Sequence, residues 1–222
     1  MNDIFFKYGW THRQLEAGLS ILDIGCGQDQ PLLYVMGARK DMVPNCYLGV
    51  DLNRIMKKSH VRWAEVWDEF DFVNNWQKVL TKYTPFDVAV CFEVIEHMAA
   101  EDGCRLLSAI FGCLRPGGVA YLSTPVFNGL AAANHIHEWT IAPLQLAIEG
   151  AGFRVERRIG TFASKPDIKA ACLSDGDKGL RRWETYQELE TWFGGDVMSA
   201  FMAPLYPNHS RNNLWVLAKP TE

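Results

Sequence analysis

The 222-residue chain lacks the features that mark a membrane, an extracellular compartment or a phosphate-backbone partner. No apolar run approaches the roughly 20 residues that span a bilayer. The opening MNDIFFKYGW has no basic segment followed by a long apolar stretch, so no secretory leader is expected. Cysteine is present at positions 26, 46, 91, 104, 113 and 172, but no two form a C-x-x-C pair. That disfavours a zinc finger or a thioredoxin-like site. Several of these cysteines lie in apolar runs, where the residue behaves as a small hydrophobe. A basic surplus is missing too: 22 Lys and Arg stand against 26 Asp and Glu, and the formal net charge is -4. The basic residues are scattered (Lys57-Lys58, Arg154, Arg157-Arg158, Arg181-Arg182), which argues against tight nonspecific nucleic-acid binding. Repeats and low-complexity segments are absent. The expectation is a reduced, cytoplasmic protein without membrane association. Its oligomeric state is not legible.

What is present is a 48% apolar composition, ample for a sizeable core. Short apolar runs alternate with amphipathic stretches. Strands are expected at 21–24, 47–51, 61–66, 87–92, 119–123, 153–159 and 213–219, and helices at about 31–40, 54–59, 72–82, 100–114 and 141–151. This alternation predicts an α/β, Rossmann-like doubly wound sheet of seven strands, mostly parallel with one antiparallel strand and helices on both faces. Thr140 is placed to cap the helix at 141, Gly150 and Gly152 to end it, and Pro116-Gly117-Gly118 to turn into a strand. The pattern breaks after residue 160. A single domain is expected over 1–222, with a substrate-side insertion at about 162–212. The aromatics Trp183, Tyr186, Trp192, Phe193 and Phe201 read as the core of that insertion. Phe5, Phe6, Tyr8 and Trp10 suit either a lid or packing on the sheet.

The chemistry-bearing residues fall at strand ends, where open α/β sheets bind ligands. The stretch ILDIGCGQDQP ends a strand in Asp23 and continues into Gly25-Cys26-Gly27. Asp51 ends the next strand, YLGVD, and an acid there can take both hydroxyls of a ribose. A dinucleotide loop would carry a third glycine where Gln30 stands. Asp29 is positioned to cap the next helix, with Pro31 in its first turn, and a capping carboxylate competes with phosphate for the helix amides. The loop therefore suits adenosine joined to a zwitterionic amino acid, with its ammonium on Asp23.

ILDIGCG, YLGVD, FDVAVCFEVIEHM and LRPGGVAYLSTP, in that order and spacing, resemble the class I S-adenosylmethionine-dependent methyltransferases over residues 19–160. AGFRVERR and SRNNLWVLAKP resemble the last antiparallel strand pair of that fold. The resemblance implies that Asp23 holds the methionine ammonium. Gly25, Cys26 and Gly27 wrap the methionine and ribose parts, and Asp51 binds the ribose hydroxyls. Leu52 lies against adenine, Asp71 in DEFDF contacts it with Asp68 as a rival, and Cys91 and Phe92 line the sulfonium side. It implies a methyltransferase; the acidic net charge favours a small-molecule N or O acceptor, and without a metal His135 or His137 is the candidate base. A local resemblance to the small-RNA 2'-O-methyltransferases implies an alternative. There Glu93, Glu96, His97 and His135 bind a divalent metal and the acceptor is a nucleotide or RNA end. A cofactor-binding partner subunit without catalysis is the third reading.

Overall fold

Helix α1 (Asn2–Gln14) precedes the first strand, β1 (Ser20–Ile24), in a computed structural model that describes residues 2–57 and 61–222. There follow α2 (Pro31–Gly37), β2 (Cys46–Val50), β3 (Ala64–Trp67), α3 (Phe72–Lys82), β4 (Phe86–Phe92), α4 (Ala100–Cys113), β5 (Leu114–Pro125), α5 (Ile141–Gly150) and β6 (Arg154–Phe162). Then come α6 (Lys165–Leu173), α7 (Gly176–Phe193), α8 (Gly195–Met202) and β7 (Asn212–Ala218). The seven strands form one sheet in the order β3-β2-β1-β4-β5-β7-β6. β1 pairs in parallel with β2 on one side and β4 on the other, so the strand order reverses between β1 and β4. β7 runs antiparallel to both β5 and β6. This is the expected Rossmann-like sheet.

Helices cover both faces, which is why β1 is buried along its whole length and reads as SILDI rather than as alternating polar and apolar residues. One core, between the sheet and α3, α4 and α5, contains Leu22, Leu48, Ala89, Leu107, Ile110 and Trp215. On the opposite face Ile21, Tyr47, Val90, Leu33 and Met36 pack with Tyr8 of α1. A third cluster, with Ala163, Ile168, Cys172, Trp183, Tyr186 and Met202, belongs to the 162–212 segment. Trp183 and Tyr186 stack there at 5.2 Å. Trp192, Phe193 and Phe201, expected in that core, are exposed instead.

Several local expectations change. Gln30, not Asp29, is the N-cap of α2, and it makes no side-chain capping bond. Its backbone is left-handed (φ 43°), so its side chain turns away from the helix amides and donates to the Lys57 and Gln28 carbonyls. Asp29 is exposed. No helix forms over 54–57; the rest of the helix expected at 54–59, with Lys58, lies outside the described residues. Residues 115–118 join β5 as an irregularity in its pairing with β4 rather than forming a separate turn. In α1, Tyr8 packs edge-on against Phe92 and Trp10 against Tyr121, so this segment lies on the sheet. The Phe5 side chain is outside the described residues.

Candidate functional site

The carboxyl ends of β1, β2 and β4 meet at the reversal of strand order, and a cavity of about 670 Å³ opens there. Gly25 and Gly27 have φ of 69° and 71°, in the left-handed region that glycine enters without strain. A Cβ on Gly25 would overlap the Val94 side chain, so close approach also requires glycine. Both glycines line the cavity. The loop is tied to the segment after β2: Gln28 donates to the Arg54 carbonyl at 2.6 Å and accepts from Met56 N–H at 3.1 Å. Gln30 fastens the same strap through its side-chain amide.

Asp51 lies at the mouth of this loop and on the cavity wall. Its two oxygens accept backbone N–H bonds from Gly27 (2.9 Å) and Asn53 (2.8 Å). Each carboxylate oxygen has two lone pairs, so both keep one for a ligand. Leu52 is exposed beside it and also lines the cavity. Asp71 reaches the wall too, but its carboxylate caps α3, accepting from the Asn74 N–H at 3.1 Å and the Asn74 side-chain amide at 2.6 Å. Asp68 turns to the Ile55 N–H instead.

Asp23, Cys26, Cys91 and Phe92 are not among the residues lining the cavity. Asp23 is 2% exposed and accepts a 2.6 Å bond from the Tyr47 hydroxyl. Burial pushes its carboxyl up to about 7, against the lowering bond from Tyr47. Cys26 packs with Ile55 and Val66, Cys91 lies in the main core, and Phe92 packs under α1. Burial raises both thiols, so neither is a thiolate at neutral pH. None of residues 162–212 lines the cavity either, so the segment expected as a substrate-side insertion is not part of this wall.

The histidine and carboxylate stretches do converge. The loop after β5 is held against the turn after β4, because the N–H groups of Ile136 and His137 both donate to the Glu96 carbonyl. Glu96, His97 and His135 each bring a ligand atom within 4.8 Å of the others. Glu96 is fully buried; one oxygen accepts from Thr124 at 3.0 Å and the other has no partner among the described residues. Burial and then the Glu93 charge raise its carboxyl. His97 lies 3.0 Å by Nδ1 from the Asn134 carbonyl, which can only accept, so Nδ1 carries the hydrogen and Nε2 stays open. His135 places Nδ1 2.6 Å from Glu138 Oε1, and the same oxygen takes Arg211. Burial pushes Glu138 up, but the bonds from Arg211, His135 and the Ala132 N–H outweigh it and hold the carboxyl low. Only His97 of these rings lines the cavity; His135 stands edge-on behind it, and His137 packs against Trp139.

Glu93 is not part of that trio. It has φ 57°, lines the cavity, and pairs with Lys7 at 2.9 Å. Reading the sequence missed Lys7, which is separated from Glu93 by most of the first half of the chain and carries no motif.

Residues 8–170 match a family model described as a methyltransferase domain. The chain belongs to that family, the class I S-adenosylmethionine-dependent methyltransferases. It is 30% identical over 157 residues to a probable S-adenosylmethionine-dependent methyltransferase of Mycolicibacterium smegmatis, covering 66% of this chain and 56% of the relative. The chain thus spans little more than half the length of that relative. Among solved structures it resembles a chain of the complex between the Haloferax volcanii Trm112 methyltransferase activator and a methyltransferase (TM-score 0.62, 16% identity, 97% of this chain and 90% of that one). It also resembles the Burkholderia thailandensis 1,6-didemethyltoxoflavin-N1-methyltransferase with bound 1,6-didemethyltoxoflavin and S-adenosylhomocysteine (TM-score 0.59, 15% identity, 98% and 78% covered). At these identities the likeness is one of fold.

Proposed function

With membership of that family as the premise, we propose that the chain transfers a methyl group from S-adenosylmethionine to a nitrogen or oxygen of a small molecule. The observation that carries this reading is the cavity at the β1, β2 and β4 ends, with a glycine backbone on one wall and the open acceptor atoms of Asp51 on another. These residues fit the cofactor. Gly25 and Gly27 leave room for its amino-acid and ribose parts, Asp51 accepts from the ribose hydroxyls, and Leu52 gives an apolar surface for adenine. When bound, the cofactor supplies an activated methyl on its sulfonium, so the protein's task is alignment and exclusion of water. His97, whose Nε2 is open, stands on the wall nearest the histidine loop and is the base we assign in place of His135 or His137. His135 backs it, held by Glu138. A small acceptor is favoured by the net charge of -4.

Calorimetry with S-adenosylmethionine tests the cofactor reading directly: clear binding is expected, and none at millimolar ligand would remove it. Asp51→Ala should weaken binding about tenfold or more, the loss of charge-assisted hydrogen bonds to two hydroxyls. An unchanged affinity would refute the ribose role.

A second reading rests on the Glu96, His97 and His135 trio with its unpartnered Glu96 oxygen. Such a donor set suits a divalent cation that grips the oxygens of a nucleotide or RNA end. Elemental analysis and titration with Mn²⁺ decide it: a site that ignores added metal leaves the small-molecule reading alone. A screen of small molecules and RNA that finds no acceptor would favour a partner subunit that binds the cofactor without catalysis.

A further inference from the structure

Lys7 is a lysine with only 1% of its side chain exposed, on α1, the helix that packs over one face of the sheet. It stands just before the stretch that matches the family, 8–170. Buried ammonium groups are costly unless paired, and this one pairs with Glu93 Oε1 at 2.9 Å. The same oxygen accepts from the Ser123 hydroxyl at 2.7 Å. Two donors fill both lone pairs of Oε1. Oε2 accepts from the Asn212 amide at 3.2 Å and keeps its second lone pair. Strands β5 and β7 and helix α1 therefore fix one side of the carboxylate and leave one acceptor position open. The Glu93 side chain is 31% exposed, lines the cavity, and precedes Val94, the residue in contact distance of Gly25. Its backbone is in the left-handed region, a strained state for a non-glycine residue that persists only where surroundings enforce it.

The cofactor's amino-acid tail carries an ammonium, which a carboxylate beside the glycine loop would hold more strongly than a neutral carbonyl. Asp23 is poorly suited to be that acceptor: it is 2% exposed, is engaged by Tyr47, and does not reach the cavity wall. Resting on the cofactor reading above, we propose that Glu93 is the carboxylate that binds the ammonium of the cofactor, and that Lys7 is its positioning residue. Lys7 occupies the opposite oxygen, so it aims Oε2 without covering it. Asp23 supports the loop from beneath through Tyr47.

The test compares two probes that differ in the amino-acid tail: S-adenosylhomocysteine, which has it, and 5'-methylthioadenosine, which lacks it. Calorimetry on Glu93→Gln should show S-adenosylhomocysteine bound about tenfold or more weakly and 5'-methylthioadenosine bound as in the unaltered protein. Lys7→Met should move the same ratio in the same direction, a selectivity that a merely structural role would not produce. Glu93→Gln takes a charged partner from a buried ammonium and can lose stability. The double variant Lys7→Met/Glu93→Gln removes both charges, and its retained affinity for 5'-methylthioadenosine reports an intact cavity. Equal affinities of these variants and the unaltered protein for S-adenosylhomocysteine would overturn the proposal. So would a collapse of the ratio in Asp23→Asn but not in Glu93→Gln. If the unaltered protein binds neither probe, the cofactor reading itself fails.

Discussion

At the scale of the residue, Asp23 shows how burial changes the chemistry of a motif position. It sits under the glycine turn, bonded to Tyr47, and burial raises its carboxyl from 3.8 to about 7. A carboxyl with a raised native value keeps its proton longer in the folded chain than in the unfolded one. Between those two values the native state binds more protons, so stability falls as pH rises from about 4 to about 7 and levels off above. Asp23→Asn should remove this slope. Urea midpoints of the two proteins measured at pH 5 and pH 8 check it: the variant gains relative to the unaltered protein at the higher pH. A difference that is the same at both pH values would refute the buried-acid account. Asp51, by contrast, sits where its motif places it, because its partners are the local N–H groups of its own loop and of Gly27.

At the scale of the element, the periodic segments were legible and the caps only in part: Thr140 is the N-cap of α5, though without a side-chain bond, and the helix ends at Gly150 as expected. β1, β2, β4, α3 and α4 fall within a residue or two of their expected bounds, because buried parallel strands and amphipathic helices write their burial into local pattern. Asp71 was expected at the adenine and proved also to be the cap of α3, a role its position before Phe72 could have signalled. Helix α6 was not foreseen, although Ser164 and Asp167 form a complete capping box at its start. Helices α6 and α7 meet where Gly179 faces the Cys172 carbonyl, leaving no room for a Cβ. Gly179→Ala should therefore part the two helices and lower stability by about 1–3 kcal/mol. Since nothing in 162–212 lines the cavity, its affinity for S-adenosylhomocysteine should hold. Thermal melting with calorimetry checks both halves; a lost affinity would show that the insertion supports the cofactor site after all.

At the scale of the whole molecule, three large hydrophobic clusters among the described residues divide the labour, beside the small one of Cys26, Ile55 and Val66. Two clamp the sheet from opposite faces, and the third fills the 162–212 segment. Among the described residues no helix is long and apolar enough to cross a membrane. The sequence by itself determined the sheet, the glycine turn and the place of Asp51 at its mouth, because each rests on neighbours within a few residues or on a pattern repeated along a strand. Only the tertiary structure decided which acids face the cavity. Asp23 is the penultimate residue of β1 and Glu93 directly follows β4, yet one is buried and bonded to Tyr47 and the other is held at the cavity by Lys7, Ser123 and Asn212. It likewise brought Glu138 to Arg211 across 73 positions and set His97 rather than His135 on the wall. Such pairings depend on β5 and β7 lying side by side in the sheet and on α1 packing over one of its faces. No local pattern encodes a contact between residues so far apart in the chain.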